Sequence, residues 1–293
     1  MSCSDVSPSW LRREFWGTWF VTTVLAYQIV AGTAEASPVY TLSSGNSSAS
    51  IDLGGSSPGM KNWTVDGQNQ LNLQWFWYRV GSTGPDAPIN NIGPLAVTQL
   101  SSSILDTTYA SSPFSVEVLY SLLGGAPGSG VSDMSETIKI QNLTGTNISF
   151  HFFQYADFNL GGTPNNDSGQ LSKTSKGFNE VDQNNGFCQV GENVDTVVSH
   201  PASRGAVVND NSILNSLNDG GPTTLNNSMS AYGNVKWGLE WDFTLAPGST
   251  YLISKDLNIS GVVSVPEPDS GSLVLFGLLA GGLWKLRSNR RVG

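Results

Sequence analysis

Cysteine is almost missing from this chain: its 293 residues include two, Cys3 and Cys188. An internal disulfide framework is thereby excluded, and Cys188 reads as a buried or idle thiol. Histidine is equally scarce, at two. His151 and His200 stand far apart, and no His/Cys/Asp spacing has the form of a metal site, so neither metal nor cofactor is expected. Charged residues make up only 13% of the chain, and the net charge is −9. Such a surface repels nucleic acid, which is excluded as a partner. Long apolar runs are lacking too, since the two that occur lie at the ends and fall short of the roughly twenty residues of a clean membrane span.

What remains is rich in small and aromatic residues, with 33 glycines and 10% Phe, Trp and Tyr. Together with abundant Ser, Thr and Asn, this suits an extracellular β-protein with long polar loops rather than a helical enzyme.

At the N-terminus, Arg12 and Arg13 precede an apolar stretch at 15–31, and Ala34 and Ala36 then stand at the two positions a signal peptidase reads. Basic, apolar, small is the order of a cleaved signal peptide, expected over residues 1–36. The run 12–16 also fits a loose twin-arginine pattern, although general secretion is the expected route.

At the C-terminus, Pro266, Glu267 and Pro268 are followed by an apolar helix expected at 272–286 and then by Lys285, Arg287, Arg290 and Arg291. Both prolines fix φ and remove a backbone donor, so the motif should be extended and outside any helix or ladder. The basic end would be held in the cytoplasm by the positive-inside bias. These residues resemble the PEP-CTERM sorting family, although the basic end is interrupted by Leu286, Ser288 and Asn289. The resemblance covers only residues 266–293 of a sorting tail expected at 261–293. It implies a bacterial protein, transient membrane anchoring, processing by an exosortase, and delivery to the cell surface or an extracellular polysaccharide matrix.

Between the ends, residues 37–260 show short alternating segments separated by Gly, Asn and Ser clusters, the pattern of a single antiparallel, jelly-roll-like β-sandwich. Segments 114–122 and 237–245 alternate cleanly, placing Phe114, Val116, Val118, Tyr120 and Leu122, or Trp237, Leu239, Trp241, Phe243 and Leu245, on one face. Segment 71–80 carries aromatics on both faces, as a central strand covered on both sides would. Segments 136–142 and 147–156 predict a β-hairpin. A strand is expected at 194–199 and one helical stretch at 211–218.

Few constellations suggest chemistry. Residues 55–59 match a nucleophile elbow, but Pro58 has no N–H, so they read as a loop. Asp157, Asn159 and Gly162 start an EF-hand spacing that Gly161 and Ser168 break. Glu240 and Asp242 lie two apart on one strand and so point the same way, roughly 7 Å apart. The pair resembles part of the Glu-x-Asp-x-x-Glu motif of laminarinase-like jelly-roll glycosidases, with position 245, a leucine, lacking the third acid. As ordinary strand residues both would face solvent. If a sugar polymer binds, Trp63, Trp75 and Trp77 are the residues to stack on it. The expectation is therefore a non-catalytic surface or matrix protein, not an enzyme, embedded in or binding exopolysaccharide. The alternative is a carbohydrate-active enzyme using Glu240 and Asp242.

Overall fold

The structure, a computed structural model, describes residues 39–93, 95–194 and 200–261. The expected signal peptide with Ala34 and Ala36, and the tail with Pro266, Glu267, Pro268 and the helix at 272–286, lie outside them. Among the described residues no helix is long and apolar enough to cross a membrane.

In chain order the strands are β1 (Val39–Ser44), β2 (Ser47–Asp52), β3 (Gly59–Val65), β4 (Gln68–Asn69), β5 (Leu71–Val80), β6 (Ala87–Pro88), β7 (Leu95–Gln99), β8 (Ile104–Ser111) and β9 (Phe114–Gly124). There follow β10 (Ser132–Asn142), β11 (Ile148–Phe158), β12 (Asp167–Thr174), β13 (Gly177–Asn184), β14 (Gln189–Asn193) and β15 (Arg204–Val208). A short helix α1 (Ser212–Ser216) precedes β16 (Ser230–Gly233), β17 (Lys236–Leu245) and β18 (Thr250–Ser260). They form two nine-stranded sheets. Sheet A runs β1-β2-β3-β5-β11-β17-β15 with β4 and β6 attached, and sheet B runs β16-β12-β13-β14-β18-β10-β9-β8-β7. The chain is all-β and antiparallel, as its alternation requires.

Alternation decides which side chains meet between the sheets. Phe76 stacks on Phe152 at 5.6 Å between ring centroids, Phe158 on Trp237 at 5.2 Å, and Phe114 of sheet B meets Phe150 of sheet A edge-on at 4.9 Å. Buried aromatic pairs of this kind contribute more than their area alone.

The expected hairpin at 136–142 and 147–156 is not formed. β10 pairs with β9 and β18 in sheet B, whereas β11 pairs with β5 and β17 in sheet A. The connection instead passes from sheet B to sheet A at the ends of these interior strands, because each strand turns its apolar side to the same core. The link from β17 to β18 crosses at the same place, and Asn142 holds both. Its Nδ2 donates to the carbonyls of Thr146, Leu245 and Ala246 at 2.7, 3.1 and 3.0 Å, and its Oδ1 accepts from the Thr144 N–H at 2.8 Å. Asn142→Ala strips buried carbonyls of their donor and is expected to cost about 1–3 kcal/mol. Urea unfolding measures this, and an unchanged midpoint would remove Asn142 from the account of the crossing.

Candidate acid-base site on the outer face of sheet A

β5, β11, β17 and β15 are neighbours, so side chains on their outer face line up in rows. In register lie Arg79, His151 and Asp242, and next to them Trp77, Phe153, Glu240 and Arg204. Glu240 and Asp242 thus share a face, as the two-residue spacing demands.

The outer face does not meet solvent freely. Residues 209–228, including α1, lie across it. Gly238 makes this close approach possible: a Cβ there would stand 3.1 Å from Ile213 Cγ2 and 3.3 Å from Leu225 Cδ1. The Leu225 N–H donates to Glu240 Oε2 at 2.7 Å, and Glu240 is 1% exposed. A clamp fixes the cover further along: Arg79 pairs with Asp86 at 2.5 Å and donates to the Thr223 carbonyl at 3.1 Å, while Asp86 accepts from the Thr223 N–H at 2.7 Å. The expectation that Glu240 faces solvent is corrected, since the packing that buries it comes from residues remote in sequence. Beside the cover, Ala206, Val208, Ile213, Thr223 and Leu225 line a cleft of about 100 Å³.

Asp242 and His151 stand at the open edge of this arrangement, with side chains 32% and 18% exposed. His151 Nδ1 and Asp242 Oδ1 are 2.5 Å apart, and Arg204 Nε lies 3.7 Å from Asp242 Oδ2. One ligand atom each from His151, Glu240 and Asp242 lies within 4.8 Å of the other two. Burial, and then the neighbouring Asp242 carboxylate, push Glu240 up to about 7 against the opposing Leu225 hydrogen bond. An imidazole with two carboxylates is a donor set that could hold a divalent cation. Arg204 Nε, 3.7 Å from Asp242 Oδ2, already supplies positive charge to this group, which lessens what a cation would add there. Glu240 and Asp242 are the pair of the alternative reading, but their grouping with His151 is not expected from the sequence, because 91 residues separate His151 from Asp242. Only the pairing of β11 with β17 joins them.

The other candidates fall elsewhere. Trp63, Trp75 and Trp77 are not stacking platforms: they are 0%, 1% and 4% exposed. Trp63 lies between the sheets with its Nε1 donating to Ser132 Oγ at 3.0 Å, while Trp75 and Trp77 are roofed by Asn90 and Asn218, each accepting at 3.3 Å. Cys188 is buried near Gln70, and burial pushes its thiol up to about 11, which removes it as a nucleophile. Asp157 accepts from Asn72 and Asp167 from Gln183, so these two carboxylates at the ends of β11 and β12 already have side-chain partners, while Asn159 and Gly162 lie in the turn between those strands. His200 is exposed and stacks on Tyr251.

No family model matches the chain, and no curated protein matches it. Solved structures do share its fold. One is a protein from Escherichia coli K12 assigned as an aldose 1-epimerase, 10% identical, with a TM-score of 0.53 over 78% of this chain and 100% of that one. Another is a bacterial glucoamylase complexed with acarbose, also 10% identical with a TM-score of 0.53, of which the match covers 34%. This chain therefore spans about a third of that enzyme's length. At such identity the likeness establishes the fold alone. The fold is nonetheless one that carbohydrate-processing enzymes use, which overturns the expectation of a non-catalytic matrix protein and of a chain that is no enzyme.

Proposed function

We propose that the described domain is a carbohydrate-active enzyme of aldose 1-epimerase type, which moves protons at the anomeric centre of a sugar through Glu240, Asp242 and His151. The contact cluster of these three groups, with Glu240 titrating near neutrality, carries the proposal. Opening an aldose ring requires a proton to leave the anomeric hydroxyl and one to reach the ring oxygen. Glu240, protonated up to about pH 7, donates the second. His151, held through Nδ1 by Asp242, presents Nε2 to accept the first. Glycoside hydrolysis instead needs two carboxyl groups flanking the bond, roughly 5–9.5 Å apart. Carboxylate oxygens of Glu240 and Asp242 lie within 4.8 Å of each other, just under the lower end of that range, which favours coupled proton transfer over two flanking roles. Residues 223–226 cover Glu240, so Asp242 and His151 are the members of the cluster that reach solvent.

The test follows anomer interconversion of freshly dissolved D-glucose and D-galactose by polarimetry, against the uncatalysed rate. Acceleration is expected below neutrality, with the part that needs protonated Glu240 halved near pH 7 and lost above it. A folded protein that accelerates neither sugar at any pH would overturn the assignment. A rate that rises steadily through pH 7 would reverse the role given to Glu240.

For location, the N-terminal order of basic, apolar and small residues and the PEP-CTERM-like tail support export and surface delivery. Signal peptidase would act after Ala36 and an exosortase near Pro266–Pro268, with the membrane a transient partner and surface polysaccharide a source of substrate. Intact masses from the host's surface fraction test both cuts.

A further inference from the structure

A second cluster of ionisable groups lies inside the sandwich, away from the outer face and unused by the proposed chemistry. Lys255 of β18 and Glu136 of β10 are directly opposite one another in sheet B, and both point into the core, where neither is exposed. They form an ion pair. Glu192 of β14, 1% exposed, places Oε1 at 3.3 Å from Lys255 Nζ. Its other oxygen, Oε2, accepts from Gln154 Nε2 and Trp237 Nε1, each at 2.7 Å, which leaves Oε1 without a hydrogen-bond donor. From sheet A, Gln74 Nε2 donates to both Glu136 oxygens, at 3.0 and 2.8 Å. The Phe76 ring lies 5.5 Å from Lys255 Nζ.

A buried ion triad is poor as a stabilising device, because desolvation offsets most of the attraction. As a reaction centre it is well equipped. An amine, a carboxyl group, a second carboxylate for the proton and a donor aimed at the carboxyl oxygens are brought together with water kept out. We propose that Lys255 and Glu136 condense within the folded domain to form an intramolecular isopeptide bond, with Glu192 taking the proton.

Burial raises Glu136 and so favours its uncharged acid, the electrophilic form. Lys255 passes one proton to Glu192 Oε1. Its freed lone pair adds to Glu136 Cδ, and Gln74 Nε2 steadies the oxygen that gains charge. A second proton moves from the nitrogen to the hydroxyl, the C–O bond breaks and water leaves. The product is a secondary amide between Nζ and Cδ, with Glu192 protonated. No oxidant, nucleotide or cofactor enters the balance. Intramolecular placement supplies an effective concentration of about 10⁵–10⁸ M, and exclusion of water opposes hydrolysis.

The test is intact-mass analysis of the denatured wild-type protein, followed by tryptic mapping. The expected result is a mass lower by one water, no cleavage after Lys255, and one branched peptide joining the segments that hold Glu136 and Lys255. Glu192→Gln keeps the shape of the cluster and removes the proton acceptor, so the expected mass is that calculated for the variant chain with no water lost. Recovery from wild type of separate peptides, one ending at an unmodified Lys255, overturns the proposal whatever the variants do. A water loss that maps to any other residues overturns it equally.

Discussion

Glu240→Gln is expected to lower the rate of anomer interconversion by about 10²–10⁴-fold, the usual contribution of one positioned proton donor. Glutamine keeps the length of the side chain and an oxygen for the Leu225 N–H, so the cover over residues 236–245 should stay in place. It cannot give up a proton, and it leaves Asp242 without the acid beside it. The expected pattern is a fall in kcat with little change in KM, because the group acts on the transition state rather than on sugar binding. The variant should also lose the limb near pH 7. A Glu240→Gln protein with wild-type kcat would place the chemistry elsewhere, whereas equal loss in a circular dichroism signal would show that the residue was structural.

The face of each strand is readable from the sequence, but the neighbours of each strand are not. Phe114 to Leu122 alternates in the structure as its residues demand, and β5 is covered on both sides as its aromatics on both faces suggest. The turn at 143–147 looks like a hairpin turn because a sandwich crossing and a hairpin use the same small polar residues. Local turn chemistry cannot say which sheet the next strand enters. Glu240 and Asp242 are legible as a pair, because strand spacing alone puts them side by side. His151, Arg204 and the Leu225 cover are not, since each arrives through a separate long-range pairing. The buried triad does leave a trace in the strand pattern: Glu136 falls in phase with Met134 and Ile138, and Lys255 with Ile253 and Leu257, which puts two opposite charges on the apolar side of strands. A charge in that phase requires a buried partner, because an unpaired one would not be tolerated there.

Arg79→Met is expected to damage the fold strongly. The side chains of Arg79 and Asp86 are 4% and 0% exposed, so their pairing is a buried one. Removing the guanidinium leaves Asp86 as an uncompensated buried charge, for which about 3–5 kcal/mol is the usual cost. Methionine conserves much of the stem volume, so little of that loss should come from a cavity. Because the same two residues hold Thr223, the damage is directional. The segment above Glu240 should loosen before the sandwich melts, and hydrogen exchange should speed up at Thr223 and Leu225, whose N–H groups bond to Asp86 and Glu240. Asp86→Asn together with Arg79→Met removes the orphaned charge and should recover part of the stability without restoring the clamp. If the double variant is no more stable than Arg79→Met alone, the cost lies in lost packing of Arg79 over the Phe153 ring, 5.5 Å away, and not in the unpaired carboxylate.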